Sequence, residues 1–203
     1  SSIISFVYID DVCKKFIDCI GKDSTNEYLI ITPEYKVSIG CLADTIKAFK
    51  ESRSNHNIMN MKDDFEKKLY STYLSYLNED EFDYKLKMNI DERGSFTEMF
   101  KSEDRGQVSV NIIKPKIIKG QHWHHFKNEK FVVVSGQAVI RFRKINTSKV
   151  IEYFVSGDEI KIVDIPTGYT HNIENIGDKD CVCVMWANEC FDPNNPDTFY
   201  EKV

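Results

Sequence analysis

The sequence predicts an α+β chain in two parts, a small and mostly helical part over residues 1–87 and an all-β barrel over residues 88–203. Two observations predict this division. Apolar residues recur at helical spacing in the first part, whereas from about Met88 onwards short apolar runs alternate with turn residues, as in a barrel or sandwich. The predicted strands of the second part lie at 108–112, 131–134, 138–143, 150–155, 160–165 and 182–186.

In the first part, apolar periodicity predicts three helices. Asp10 and Asp11 favour the positive end of the first helix, and Ser38 has the side chain of an N-cap for the second. A polar loop is expected after the second helix, from about residue 51. The predicted helices span about 10–20, 39–50 and 65–77, and strand-like runs lie at 6–9 and 28–31.

The composition is that of a globular protein with one or two domains, since the 203 residues are 41% hydrophobic and 29% charged. The net charge of −5 argues against a general nucleic-acid or membrane-surface partner. No apolar run approaches the roughly 20 residues of a membrane span, and no signal-peptide pattern opens the sequence. Six cysteines form no Cys-x-x-Cys pair, so we expect reduced thiols in a cytoplasmic protein.

Three histidines and one glutamate in the second part have the spacing of metal ligands. His122 and His124 share one face of a strand, a second strand can present Glu129, and His171 comes from a third. Together they form a nitrogen and oxygen ligand set suited to Zn, Fe, Mn or a similar divalent ion. A single histidine would more often be a satisfied core residue. His125 breaks the alternation, so we expect it at the rim.

The spacing of these residues resembles the two motifs of the cupin superfamily, both complete and in the expected order. The resemblance implies that residues 88–203 form a small antiparallel β-barrel or jelly roll with the metal inside. The first motif is carried by His122, His124, Glu129 and Gly136, and the second by Pro166, Gly168, His171 and Asn175.

The run at 91–98 resembles the opening of the nucleotide-sugar 3,5-epimerases, which are themselves cupins. The resemblance implies substrate contacts at Arg93 and Glu98, and it places Gln107 and Lys119 where that family has further contacts. The sequence also departs from the family. Those epimerases lack the full metal quartet, and their catalytic tyrosine has no clear counterpart here, so the proton donor is not carried over.

Two short runs of the first part, 6–12 and 37–43, resemble a strand-to-helix step and the next helix in the substrate lobe of extended short-chain dehydrogenase/reductases. The resemblance implies that residues 1–87 are part of such a lobe. The glycine-rich dinucleotide motif and a Tyr-x-x-x-Lys pair are missing, so the nucleotide-binding half is absent. We therefore expect neither NADPH binding nor reductase activity. A small helical cap unrelated to reductases is the alternative.

Longer runs resemble the bifunctional capsular-polysaccharide enzymes on the pathway to UDP-N-acetyl-L-fucosamine, which join a short-chain reductase to a C-terminal cupin. The resemblance implies that the cupin epimerises C3 of a UDP-2-acetamido-2,6-dideoxy-4-hexulose. In the full-length enzyme the reductase then reduces C4 with NADPH. A Zn²⁺ site and a homodimer joined through the cupin are also implied. The runs lie at 119–125, 127–131, 139–143, 164–175 and 191–193.

Such an epimerisation needs a base, a proton donor and stabilisation of an enolate oxygen. Lys119, Lys130 and Tyr169 lie beside motif residues and are the candidates for proton transfer. Lys130 can instead face outward, and Tyr169 can instead pack the turn. Arg141 and Arg143 suit the diphosphate, because arginine matches phosphate geometry in a bidentate way. A solvated face or a dimer contact is their alternative role.

Two other functions stay open. One is a metal-dependent cupin dioxygenase or isomerase, which would use Fe or Mn. The other is a non-catalytic module for nucleotide-sugar binding or dimerisation. Arg93 and Glu98 favour the epimerase over the first alternative, and nothing in the sequence separates it from the second. The metal itself can polarise the C4 carbonyl or hold three strands together.

Overall fold

The computed structural model describes residues 2–22 and 28–203, which divide into two compact units. One unit contains Ser1–Asn55 and Met59–Tyr84, and the other contains His56–Ile58 and Lys85–Val203. Among the described residues, no helix has the length and apolar character needed to cross a membrane.

The first unit contains a two-stranded antiparallel sheet, three α-helices and a short 3₁₀ turn. Phe49 is fully buried, and its ring lies 4.9 Å from the ring of Tyr70 and 5.7 Å from that of Tyr73. The Ser38 hydroxyl accepts a hydrogen bond from the backbone N–H of Cys41, so the predicted N-cap is confirmed. The elements are β1 (Ile3–Phe6), α1 (Ile9–Cys19), β2 (Tyr35–Ser38), α2 (Ile39–Asn55), α3 (Asp64–Ser75) and the turn Glu79–Glu81.

The three predicted helices are confirmed, but three other predictions for this unit are wrong. The run at 6–9 is not a strand, because β1 ends at its first residue and α1 begins at its last. Helix α2 continues to Asn55, through the start of the predicted polar loop. Residues 28–31 form no strand, and Tyr28 and Ile30 are mostly exposed, at 84% and 80%. An apolar run that meets no packing partner gains nothing from strand geometry, because β-propensity reflects packing against neighbouring strands.

The expected fold class, an α+β chain that opens with a reductase substrate lobe, is also wrong. The described residues form a mostly β, cupin-like jelly roll with three α-helices, and those within 1–87 show no such lobe. The physical reason is that runs of about seven residues specify only a local strand-to-helix step. Here the strands on either side of α1 pair antiparallel with each other, whereas the strand–helix units of reductases build a parallel sheet.

The second unit consists of two antiparallel sheets, with strand orders β10-β7-β12-β5-β4-β3 and β13-β6-β11-β8-β9. The six strands predicted from the sequence are confirmed as β5, β7, β8, β9, β10 and β12. The strands are β3 (Asn89–Asp91), β4 (Gly94–Ser102), β5 (Gly106–Ile113), β6 (Ile118–Trp123), β7 (Glu129–Ser135), β8 (Gln137–Lys144), β9 (Val150–Ser156), β10 (Ile162–Ile165), β11 (Tyr169–Asn175), β12 (Cys181–Ala187) and β13 (Phe199–Tyr200).

The apolar core of this unit lies between the two sheets. Alternate residues of each strand face inward, as the period of a pleated strand requires. Phe131 and Val133 on β7 meet Ile140 and Phe142 on β8 in one buried cluster. The rings of Phe131 and Phe142 in this cluster lie 5.9 Å and 6.4 Å from the ring of His171 on β11.

The buried amide of Asn175 joins the two sheets. Its Nδ2 donates to the carbonyl oxygens of Ile113 on β5 and Lys179, each at 2.8 Å, and its Oδ1 accepts from the N–H of Gly177 at 2.9 Å. The side-chain amide of Asn175 therefore makes three hydrogen bonds inside the protein.

We expect Asn175→Ala to lower the free energy of unfolding by about 1–3 kcal/mol, because it leaves buried backbone groups without partners. The measurement is urea unfolding followed by tryptophan fluorescence. The exposed Asn194→Ala is the control and should change the free energy by less than about 0.5 kcal/mol. Equal effects of the two substitutions would contradict the bridging role.

Candidate metal centre and its cavity

Three strands bring four ligand-type side chains together. His122 lies near the end of β6 and is in register with His171 on β11, His124 follows β6 directly, and Glu129 begins β7. One ligand atom from each of the four lies within 4.8 Å of the others. The structure therefore assembles the quartet that the spacing in the sequence indicates.

The polar atoms at the centre of the quartet lack hydrogen-bond partners. Glu129 Oε2 lies 3.4 Å from His124 Nε2 and 3.2 Å from His171 Nε2. All three atoms are buried, and none has a hydrogen-bond partner among the described residues. Buried polar atoms are normally satisfied, so their convergence favours a bound group at this point. Imidazole nitrogens and a carboxylate fit a divalent transition ion.

The back nitrogens of two imidazoles face backbone carbonyls. His124 Nδ1 lies 2.6 Å from the carbonyl oxygen of Asp197, and His171 Nδ1 lies 3.4 Å from that of Tyr169. A carbonyl oxygen can only accept, so it favours the tautomer with the proton on Nδ1. That tautomer directs the Nε2 lone pair of each ring into the quartet.

The protonation states also suit a cation. Burial, with a contribution from His171, lowers the pKa of His122 to about 4. Burial alone would raise the pKa of Glu129, but the imidazoles of His124 and His171 beside it outweigh burial and hold that pKa well below its usual value. Metal ligands must be neutral imidazoles and ionised carboxylates, and the environments of His122 and Glu129 favour these forms. For His124, burial is outweighed by the neighbouring Glu129 carboxylate, which raises the pKa of the imidazole.

A β-bulge in β6 determines which side chains reach the site. The register with β11 shifts between His171 and Asn172, opposite Gly120 and Gln121, whose φ angles are +98° and +67°. One extra residue reverses the alternation of a strand. Lys119 and His122 therefore both line the same cavity, although their odd spacing would place them on opposite faces of a regular strand.

Three members of the quartet, His122, His124 and Glu129, line a cavity of about 860 Å³, which is a size typical of small-molecule sites, and His171 is fully buried. Every lining residue belongs to the second unit. The apolar part of the wall includes Phe96, Phe131, Ile173, Met185 and Phe191. The charged residues outside the quartet are Asp91, Arg93, Glu98, Lys119, Lys127 and Glu189.

Lys119 differs from the other cations of the wall. Arg93 forms an ion pair with Asp91 at 2.6 Å, and Lys127 lies 3.5 Å from Glu189. Lys119 Nζ instead donates to neutral acceptors: the Asn111 amide oxygen at 2.8 Å and the backbone carbonyls of Ile112 at 3.0 Å and Ser95 at 3.4 Å. Burial lowers the pKa of Lys119.

Two further candidates for substrate binding line the cavity with their polar groups already engaged. The Glu98 carboxylate lies 3.1 Å from Lys101 Nζ and 3.7 Å from His56 Nδ1. Gln107 is buried, and its Oε1 accepts from the backbone N–H of Phe191 at 2.8 Å. Gln107 therefore also fixes the position of an aromatic ring in the wall.

The two arginines of β8 lie outside the cavity wall. Arg141 pairs with Glu152 at 2.7 Å and with Glu174, and Arg143 pairs with Glu201 at 2.7 Å. Glu152 and Glu174 lie on β9 and β11, the two neighbours of β8 in the five-stranded sheet, whereas Glu201 follows β13.

The remaining candidates for proton transfer also lie outside the wall. Lys130 forms an ion pair with Asp164, and Tyr169 packs against the apolar core. His125 is exposed, and its ring lies 4.6 Å from that of Trp123. Of the three proton-transfer candidates, Lys119 is the one that the structure places in the cavity.

Sequence reasoning missed Lys127, Glu189 and Asp197. Asp197 contacts the segment between two ligands, although 73 residues separate it from His124. The signal in the sequence is weak, a loop rich in Asp, Asn and Pro after the last long strand.

Residues 89–199 match the family model of the polysaccharide biosynthesis C-terminal domain. A curated relative, UDP-2-acetamido-2,6-beta-L-arabino-hexul-4-ose reductase of Pseudomonas aeruginosa, is 42% identical over 200 residues, which are 98% of this chain and 54% of that protein. The crystal structure of the capsular polysaccharide assembling protein CapF from Staphylococcus aureus is 52% identical, with a TM-score of 0.93. It is matched over 100% of this chain and 56% of that one.

A crystal structure of CapF with the inhibitor 3-isopropenyl-tropolone has the same identity and TM-score, and the match covers 100% of this chain and 59% of that one. The chain thus spans little more than half the length of these relatives. The resemblance to the capsular-polysaccharide enzymes that the sequence indicates is confirmed.

Gly120→Ala tests the bulge. An added Cβ would lie 2.9 Å from the carbonyl oxygen of His171, at a φ that favours glycine, so we expect a loss of about 1–3 kcal/mol in the free energy of unfolding. Gly40→Ala in α2 is the control, since nothing lies within 4 Å of its added Cβ. It should raise stability by about 0.4–1 kcal/mol. The free energies are measured by urea unfolding. If Gly120→Ala leaves the free energy of unfolding unchanged, the bulge in β6 does not require glycine at this position.

The quartet predicts one tightly bound divalent transition ion per chain. Glu129→Gln removes the anionic ligand, so the dissociation constant for Zn²⁺ should rise at least about tenfold, since even supporting residues of metal sites cost that much. Competition with a chelator measures it. Glu189→Gln is the matched control, because Glu189 lines the same cavity outside the quartet. Equal affinities of wild type and Glu129→Gln would place the ion elsewhere.

Proposed function

Because the chain belongs to the polysaccharide biosynthesis C-terminal domain family, we propose that residues 88–203 epimerise C3 of a UDP-2-acetamido-2,6-dideoxy-4-hexulose, a precursor of capsular polysaccharide. The observation that carries the proposal is that Lys119 lines the same cavity as His122, His124 and Glu129, three members of the metal-type quartet. The name of the P. aeruginosa relative, which specifies a UDP-linked 2-acetamido sugar with a C4 ketone, supports this substrate class.

The chemistry follows from the ketone. The hydrogen on C3 is acidic because its removal gives an enolate, with the negative charge on the C4 oxygen. Return of a proton to the opposite face of C3 inverts that centre. The protein must therefore move a proton at C3 and stabilise the enolate oxygen.

His122, His124, Glu129 and His171 would hold the ion, for which we propose Zn²⁺. A bound Zn²⁺ would supply Lewis-acid polarisation of the ketone oxygen. The four side chains also link three strands, because they come from β6, β7 and β11 and the turn that follows β6. The site would thus serve stability as well as chemistry.

Lys119 is the residue that we assign to proton transfer at C3. Three neutral oxygens hold its amine in place, and no carboxylate among the described residues lies within ion-pair distance. Burial lowers its pKa towards the neutral range, where proton exchange by an amine is most effective.

The remaining polar residues of the wall would bind the substrate. Arg93 is partly exposed and would meet the diphosphate, to which a guanidinium can donate two hydrogen bonds. Glu98 would accept from a sugar hydroxyl, held by its contacts with Lys101 and His56. Gln107 would act through Phe191, whose backbone it binds.

The proposal also includes a cytoplasmic homodimer joined through residues 88–203, which the resemblance to the capsular-polysaccharide enzymes supports. The C4 reduction in the name of the P. aeruginosa relative is not assigned to these residues.

Solvent exchange tests the reaction directly. In D₂O, wild-type protein should place deuterium at C3 of the 4-hexulose, as observed by NMR. Lys119→Met should slow the exchange by about 10²–10⁴-fold, the usual contribution of a positioned acid or base. Lys114→Met is the control, since Lys114 is exposed and paired with Asp180, and it should change the rate less than about twofold.

Three other results would count against parts of the proposal. A wild-type protein that binds the substrate without exchanging C3–H is a binding module and not an epimerase. A larger loss with Lys130→Met than with Lys119→Met would move the proton transfer to Lys130. Exchange that survives complete metal removal, with the fold intact, would give the ion a structural role only.

A further inference from the structure

Asp197 makes four contacts with the segment that joins β6 to β7. Its carboxylate accepts the backbone N–H groups of His125 at 3.0 Å, Phe126 at 2.8 Å and Lys127 at 2.8 Å. Its own carbonyl oxygen lies 2.6 Å from Nδ1 of His124. One residue thus binds both the imidazole of His124 and the backbone immediately after it.

The contacted segment connects two members of the quartet, since it runs from His124 to Glu129. Three successive N–H groups that point to one carboxylate form an anion-binding concavity of the backbone. With those groups bound, the carbonyl of Asp197 and the ring of His124 are held at a fixed separation. Asp197 itself has a φ of +40°, which a non-glycine residue adopts only when its contacts compensate.

The residues around Asp197 are hydrogen-bonded to β6 and to the turn that follows it. Lys127 Nζ donates to the carbonyl oxygen of Pro196 at 2.7 Å. Beyond Asp197, β13 pairs with β6, so that Tyr200 is in register with His122. The N–H of Glu201 then donates to the carbonyl oxygen of Gln121 at 3.0 Å. The segment from Pro196 to Glu201 therefore follows β6 on its outer side.

We propose that Asp197 is a positioning residue of the metal centre. Its carboxylate orders the turn between His124 and Glu129, and its carbonyl fixes the tautomer and the direction of the His124 ring. A metal ion gains affinity from this order, because no free energy of binding is then spent on orienting two of its ligands. The inference rests on the proposed metal centre and is independent of the proposed reaction.

The test measures metal affinity rather than turnover. Zn²⁺ dissociation constants are obtained by chelator competition, and the visible spectrum of the Co²⁺ form reports ligand geometry. Asp197→Ala should weaken Zn²⁺ binding about 10–100-fold and change the Co²⁺ spectrum. Asp197→Asn retains one acceptor oxygen and should weaken binding less.

Asp192→Ala is the matched control. Asp192 lies in the same loop, is exposed, and accepts the N–H of Asn194 at 2.9 Å without contacting the quartet. Its Zn²⁺ affinity should stay within about twofold of wild type.

Urea unfolding of the metal-free proteins separates positioning from simple stabilisation. A purely structural Asp197 would lower metal-free stability and leave the Zn²⁺ dissociation constant unchanged, which would overturn the inference and leave the proposed function standing. If Asp197→Ala does not fold, Asp197→Asn decides by the same comparison. If the wild-type protein binds neither Zn²⁺ nor Co²⁺, both this inference and the metal centre are overturned. If only the C3 exchange is absent, the result counts against the proposed reaction and leaves this inference standing.

Discussion

The carboxylate of Glu129, buried between two imidazole nitrogens, is the constraint on which the site depends. An ionised group away from water is costly unless a cation or hydrogen bonds compensate it. Glu129 Oε2 faces Nε2 of His124 and of His171, and these nitrogens carry no proton when their Nδ1 atoms donate to carbonyls. The lone pairs of these two nitrogens then point at the lone pairs of the carboxylate oxygen, which is repulsive. A divalent ion converts that repulsion into attraction, and it links β6, β7 and β11 where the apolar core ends.

Irregular backbone makes this arrangement possible. The bulge at Gly120 and Gln121 turns Lys119 to the same side as His122, so a cation and a metal site share one wall. The loop that contains Asp197 then closes the turn after His124 from outside the barrel. Bulges are typical of strands beside active sites, where they direct a side chain. The regular sheets supply the rigid frame, and these two departures determine what the cavity presents to a ligand.

The sequence predicts the features that depend on local patterns and misses those that depend on contacts between distant residues. Strand alternation and spacing predict His122, His124 and Glu129, which lie within eight positions of one another, and the spacing of the second motif indicates His171. Strand positions in the second unit are predictable for the same reason, since their period and turns are local. The role of Asp197 depends on a contact with His124 across 73 residues, which no local pattern encodes. The reductase lobe is wrong for the converse reason, because a local match was extended to a tertiary fold that depends on how strands pair.

The most direct test of the central claim is anomalous X-ray diffraction from crystals of the protein, collected on both sides of the absorption edge of zinc after growth with Zn²⁺. We expect one strong anomalous peak per chain, bounded by His122, His124, Glu129 and His171. A quartet without a peak, with a water molecule or a direct hydrogen bond between Glu129 and the imidazoles, would contradict it. The site would then be a polar network, and the cavity would need another explanation for its chemistry.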